Sequence, residues 1–294
     1  MNDSNEIVFR SPSRSACTER ALVLQALGIA GELRYDEMGW MLLVPGELAV
    51  RARQEIAAFE SENTGWPRRA RPLITLAPGR HGVATYVLVL LTIAWFQSHE
   101  FLGYDWLQSG RVQARAVLDG EVWRTVTALT LHLDIGHLIG NLVFGALFGL
   151  FVGQFVGSGV AWLGILLAGA AGNFVNAWLQ PPWHSSAGAS TAVFAALGML
   201  SAYVWRRRGD FDERWPVRWA PILAGVALLA YTGAGGERTD IGAHITGFVC
   251  GLGAGLLFGS MAQSVFANRA LQWIAGCTGG AMLALAWLLA LGSA

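Results

Sequence analysis

The sequence predicts an all-α polytopic membrane helix bundle of about seven transmembrane helices, with a small α+β soluble domain at its N-terminus. Three observations predict it. Hydrophobic residues make up 54% of the 294 and charged residues only 14%, well below the quarter usual in soluble domains. No Asp, Glu, Lys or Arg occurs from Ile135 to Trp205, and no soluble domain hydrates a surface built from such a stretch. The first 62 residues, by contrast, are rich in charge and carry short strand and helix patterns.

Residues 1–62 are read first. Glu6 to Phe9 has strand character, Thr18 to Leu27 is helical in pattern, and Glu32 to Tyr35 and Trp40 to Val44 read as two strands around a Glu37-Met38-Gly39 turn. Pro45 is expected to open a helix with Leu48, Ala52, Ile56 and Phe59 along one face. The order βαββα gives a compact sheet with helices on one side. In pattern it resembles small ferredoxin-like signalling domains, a likeness that names no ligand and leaves the domain's partner unknown.

A linker over 63–81 follows. It holds Pro67, Pro72 and Pro78 among Arg68, Arg69, Arg71 and Arg80. Extended proline-rich chain with arginine before an apolar run marks a cytoplasmic flank. Taking about 20 apolar residues per crossing, the spans fall at 82–98, 135–154, 159–179, 188–205, 217–233, 241–262 and 270–292. Arg206-Arg207-Arg208 through Arg218 marks a second cytoplasmic loop, whereas 180–187 and 234–240 hold only Arg238 and suit the outer side. The long 99–131 loop is also placed outside, although it carries Arg111, Arg115 and Arg124. No cleavable signal peptide is expected, because the first apolar run lacks the short basic start. The first span then acts as an internal signal.

The 20 Arg and no Lys balance 20 acidic residues, so no nucleic-acid partner is implied. Cys17, Cys250 and Cys277 are too few and too far apart for a disulfide framework or a metal site.

Polar groups inside a bilayer are costly and point to function. Here they form three clusters. His132, His137 and Asn141 open the second span, and one helical turn separates His137 from Asn141. Gly188-Ala189-Ser190-Thr191 opens the fourth. Ala243-His244 opens the sixth, followed by Gly247, Gly251 and Gly255 at four-residue intervals. Glycine at every fourth position makes a smooth groove in which a neighbouring helix sits close to His244. The fourth span, with Gly188, Ala192, Ala195, Ala196 and Gly198, suits that neighbour and carries Ser190 toward the imidazole. Serine beside a neutral imidazole is an activated nucleophile. A helix N-terminus at Ser190, with His137 and Asn141, offers oxyanion donors. Asp240, one turn before His244, reads as a helix cap and leaves a Ser–His dyad.

With these motifs in place, the chain resembles the rhomboid intramembrane proteases over about 82–262. The resemblance rests on His-x4-His-x3-Asn at His132, His137 and Asn141, and on Gly-x-Ser at Gly188 and Ser190. It rests also on Ala-His-x2-Gly-x3-Gly at Ala243, His244, Gly247 and Gly251, and on the Trp123-Arg124 pair. Each motif alone is common, but the ordered set is specific. It implies a serine endopeptidase that cuts peptide bonds in or near transmembrane segments, usually of single-pass proteins, without metal or cofactor. Ser190 would be the nucleophile and His244 the base. His137, Asn141 and the Ser190 amide would hold the oxyanion, with His132 behind them. Gly188 would shape the turn and Phe194 would orient the His244 ring. Trp123 and Arg124 would anchor the outer loop.

Residues 82–262 would form the six-helix core, and 263–294 an additional C-terminal membrane helix in the six-plus-one form. The resemblance also implies a multi-pass protein of the bacterial inner (cell) membrane, with residues 1–62 cytoplasmic. Two departures stand out. Thr191 replaces a glycine frequent in the family and is expected to add bulk near the nucleophile. Gln154 stands where many members carry a glutamate. A second function class is an inactive rhomboid-like protein that binds membrane clients, which typically loses the serine or histidine. A third, a solute transporter, predicts an intramembrane acidic residue or an internal repeat, and neither is seen.

Overall fold

A computed structural model describes residues 5–64, 75–76, 79–208, 215–233 and 239–293. Most of the 63–81 linker, the 209–214 part of the second arginine-rich loop and residues 234–238 of the 234–240 loop lie outside the described residues. The chain divides into two compact units, Met1–Ala70 and Arg71–Ala294.

In the first unit, β1 (Asn5–Ser11), α1 (Arg14–Ala26), β2 (Glu32–Asp36), β3 (Gly39–Pro45) and α2 (Ala49–Glu62) follow in order. The sheet is antiparallel with order β1-β3-β2. Alternation along β3 puts Leu42 and Val44 on one face, where they are buried with Leu24 of α1 and Ala52 and Ile56 of α2. The α+β reading therefore holds, with two local differences. Helix α1 starts at Arg14 and not at Thr18, because the Ser13 hydroxyl caps it by accepting the Ala16 amide. The Pro45 position is followed by a 3-10 turn, Gly46–Leu48, before α2 begins at Ala49.

Seven helices of 19 or more residues dominate the described part of the second unit: α3 (Arg80–Ser98), α4 (Ile135–Val156), α5 (Ser158–Leu179), α6 (Ser190–Arg208), α7 (Trp215–Gly233), α8 (Ile241–Ser260) and α9 (Arg269–Gly292). Five of them, α3, α4, α5, α8 and α9, are long and apolar enough to cross a membrane. The other two fall short by composition. Helix α6 uses Ala, Gly, Ser and Thr far more than Leu and ends in Arg206–Arg208, and α7 carries Arg218 and Pro221.

Helix α6 is buried along most of its length. Its close neighbour is α8, and small residues set the spacing. A Cβ placed on Gly247, Gly251 or Gly255 would collide with the carbonyl oxygens of Thr191, Ala195 and Met199 in turn, and one on Gly198 with the carbonyl of Phe248. Glycine at each four-residue step thus lets the two backbones touch. On the far side, the Gln272 side chain of α9 donates to the carbonyls of Val156 and Phe266 and accepts the Val160 amide. That side chain fastens α9 to the α4–α5 turn.

The segment between α3 and α4 is a folded cap of short helices, Trp106–Gly110, Ala114–Leu118 and Arg124–Thr127. Arg124 organises it. One guanidinium nitrogen donates to the carbonyls of Gln108, Ser109 and Arg111, at 3.0 to 3.1 Å, and Nε pairs with Glu121 at 2.6 Å. A two-residue strand, β4 (Val112–Gln113), pairs antiparallel with β5 (Ser185–Ser186), which lies just before α6.

Candidate active site

Three helix N-termini meet at one cavity of about 900 Å³. Each is fixed by a local device. Helix α4 starts after Asp134, whose carboxylate accepts the His137 amide at 2.8 Å. Helix α8 starts after Asp240, whose carboxylate accepts the Ala243 amide at 3.0 Å. Helix α6 starts at Ser190, after Gly188 at φ +154°. The Gly188 amide donates to the Ala128 carbonyl at 3.0 Å, which fixes the direction in which the chain enters α6.

Gly188 also leaves needed space. A Cβ there would stand 2.8 Å from Nε2 of His137 and 3.5 Å from Oγ of Ser190. The imidazole of His137 and the hydroxyl of Ser190 therefore flank a single spot at the head of α6. The first amides of α6, that of Ser190 among them, have no upstream helical carbonyl to bond.

Asn141 lies one turn along α4 and lines the cavity. Its carbonyl accepts the Tyr86 hydroxyl at 2.7 Å, and its buried side-chain Nδ2 has no hydrogen-bond partner. An unpartnered buried donor is costly, and here it borders the cavity. On α8, His244 is buried, and its ring lies 4.4 Å from that of Phe194, inclined by 39°.

His137, Asn141, Gly188, Ser190, Phe194 and His244 all line this cavity. His132 stands behind. Its ring meets the edge of His137 at 5.3 Å, and neither of its nitrogens has a hydrogen-bond partner. The Gln97 amide clamps the His132 backbone, donating to its carbonyl at 2.7 Å and accepting its amide at 3.3 Å. Burial first, then the charge of His137, pushes the His132 imidazole down to about 4, opposed by the Thr130 backbone and Asp134. The ring is thus held neutral.

Residues 119–261 match the family model for the rhomboid domain. This stretch is a rhomboid domain. The chain is 29% identical over 173 residues to rhomboid-like protease 3 of Toxoplasma gondii, covering 58% of this chain and 64% of that one. It is 28% identical over 193 residues to the rhomboid protease GluP of Bacillus subtilis, covering 64% of this chain and 37% of that one. The chain thus spans less than two thirds of the length of either relative.

Within this rhomboid domain, Thr191 lines the cavity beside Ser190. Its γ-methyl is also among the atoms that a Cβ on Gly172 or Gly247 would meet, at 3.0 and 2.9 Å. The added bulk fills the seam between α5 and α8. Gln154 gives its backbone carbonyl to the Leu76 amide at 2.7 Å.

His184, in the 180–187 loop, also lines the cavity. Its Nε2 is 2.8 Å from Oδ2 of Asp240, and the Asn176 side chain donates to the same oxygen at 2.8 Å. The Asp240 carboxylate is thereby shared between its cap bond and these two partners. No spacing rule links residues 56 apart on different elements. Among the described residues, no group of three His, Cys, Asp or Glu stands ready to hold a metal ion.

Proposed function

We propose that this rhomboid-family membrane protein is an intramembrane serine endopeptidase working through a Ser190–His244 dyad. The observation that carries the reading is the convergence of Ser190, His137 and the Phe194-packed His244 on one cavity at the head of α6. His244 takes the proton of the Ser190 hydroxyl as Oγ attacks the scissile carbonyl carbon. The oxyanion is received by His137, by the unpartnered amide of Asn141 and by the Ser190 backbone amide, at the positive end of α6. His132 backs His137, and Gly188 keeps the pocket open.

Collapse of the tetrahedral intermediate breaks the C–N bond, and His244 returns the proton to the departing amine. Water then enters the cavity and attacks the acyl-enzyme, with His244 again as base. It leaves a carboxylate product and a free Ser190 hydroxyl. Each group therefore ends in its starting state.

The substrates in this reading are transmembrane proteins, single-pass above all, whose helix unwinds locally to expose the cut. Small or helix-weakening residues at that point lower the cost. The protein sits in the bacterial inner membrane with residues 1–62 cytoplasmic, because the arginines of the linker and of Arg206–Arg208 mark that side.

The test is cleavage of a single-pass substrate by the purified protein, in detergent and in lipid, beside Ser190→Ala and His244→Ala. Wild-type cleavage that falls to background in both variants supports the dyad. Cleavage that survives Ser190→Ala overturns it. Absence of cleavage by wild type across several substrates in lipid favours client binding without catalysis.

A further inference from the structure

The segment from Pro181 to Ala189 carries Ser190 into the cavity, and among the described residues its backbone is tied on one side. Ala114 donates to the His184 carbonyl at 2.9 Å, Arg115 to that of Pro182 at 3.2 Å, and Gly188 to Ala128 at 3.0 Å. With the β4–β5 pair, these bonds fix the segment to the cap between α3 and α4. None of them reaches α8, which carries His244. The side chain of His184 does, through Nε2 and Oδ2 of Asp240.

We propose that His184 is a positioning residue. Through Asp240 it locks the nucleophile's segment to the base's helix and sets the Ser190–His244 geometry. The proposal rests on the peptidase reading above.

Asp240 is placed to transmit this lock. One carboxylate oxygen receives His184 and the Asn176 amide of α5, each at 2.8 Å, and the other caps α8. Its own carbonyl accepts the His244 amide at 3.2 Å. A single residue thereby joins three elements, and any shift of it moves the turn that bears His244. The pair is mostly shielded, with side chains 22% and 16% exposed. A hydrogen bond to a carboxylate is short and strong when water is held off. The α6–α8 seam of glycines fixes how far apart the helices stand. The lock fixes how their first turns are aligned. A displacement near 1 Å at a reacting pair costs on the order of 100-fold in rate.

The experiment compares His184→Ala, His184→Gln, Asp240→Asn and the double variant His184→Ala/Asp240→Asn in the full chain. Asparagine keeps the helix cap but not the charge that His184 meets. Glutamine restores a donor to the same oxygen. The readouts are kcat and KM on a single-pass substrate, backbone amide exchange over residues 183–190, and the unfolding temperature.

His184→Ala and Asp240→Asn are each expected to lower kcat roughly tenfold with KM within about twofold. Exchange over 183–190 speeds up and the unfolding temperature holds. The double variant is no slower than the worse single variant, because both remove one interaction, and His184→Gln recovers most of the rate. Wild-type kcat in His184→Ala, or single effects that multiply in the double variant, would overturn the lock. So would losses that track the unfolding temperature. If wild type itself does not cleave, the peptidase reading fails while exchange still decides on the lock. Faster exchange in both single variants keeps it, and unchanged exchange removes it.

Discussion

The ring of Phe194 packs on the ring of His244 across the α6–α8 seam, centroids 4.4 Å apart. Phe194 is one turn after Ser190 on α6, so one helix face presents both the proposed nucleophile and the wall against which the ring of the proposed base packs. Phe194→Leu keeps most of the buried volume and is expected to cost less than about 1.5 kcal/mol of stability. It removes the flat surface that fixes the imidazole. We expect kcat to fall several-fold while thermal unfolding in detergent moves little. Equal kcat in the leucine variant would separate His244 orientation from this ring.

Asn141 tests the proposed oxyanion site. Its buried Nδ2 has no partner to lose, so Asn141→Ala strips no hydrogen bond from the folded state. Loss of one oxyanion donor costs on the order of 100-fold in kcat. The expected pattern is a kcat lowered to that extent, a KM close to wild type and an unchanged unfolding temperature. A proportionate fall in stability instead would make Asn141 a bridge between helices.

His132 gives a pH signature. Its folded value, about 4, lies below the ordinary 6.5, so the unfolded chain binds more protons between those limits. The stabilisation is complete above about pH 6.5 and is lost as pH falls toward 4, with a slope of up to about 1.4 kcal/mol per pH unit. Unfolding temperatures measured from pH 4 to 7.5 should therefore fall more steeply on the acid side for wild type than for His132→Gln. Parallel curves would mean that the imidazole is not held neutral.

The helices were legible because a bilayer-spanning run of about 20 residues must be apolar whatever it packs against. The 135–154 and 159–179 readings differ from α4 and α5 by no more than two residues at any end. The sequence opens the fourth span at Gly188, but the helix starts at Ser190, because the positive φ of Gly188 turns the chain before α6 begins. Composition makes α6 and α7 less plain than the other five: α6 is buried among helices and uses small residues where a lipid-facing helix uses Leu, and α7 carries Arg218 and Pro221. Local caps are less legible, as at Ser13, whose hydroxyl starts α1 before the apolar pattern begins. The His184–Asp240 contact was illegible for a different reason. Spacing rules operate within one element, and two long helices separate these residues. Thr191 shows a related limit. The sequence places its bulk beside Ser190, where it lines the cavity, but the contact of its methyl with Gly172 and Gly247 is set by tertiary packing.

The glycine ladder of α8 offers an internal control. A Cβ on Gly251 would collide with the Ala195 carbonyl and lie 2.8 Å from the Ala195 Cα, so backbone and not a flexible side chain must give way. Gly253, two residues on, faces away from the seam, and a Cβ there meets nothing within 4 Å. Gly251→Ala is expected to push α6 and α8 apart, costing about 1–3 kcal/mol and most of the cleavage, because those helices carry Ser190 and His244. Gly253→Ala removes backbone freedom from the same helix without a clash. Its unfolding temperature should equal or slightly exceed wild type, by the roughly 0.5–1 kcal/mol that separates alanine from glycine in a helix, with cleavage unchanged. Thermal unfolding and cleavage of both variants, measured side by side, decide the matter. If both alanines behave alike, the close α6–α8 approach does not control the site.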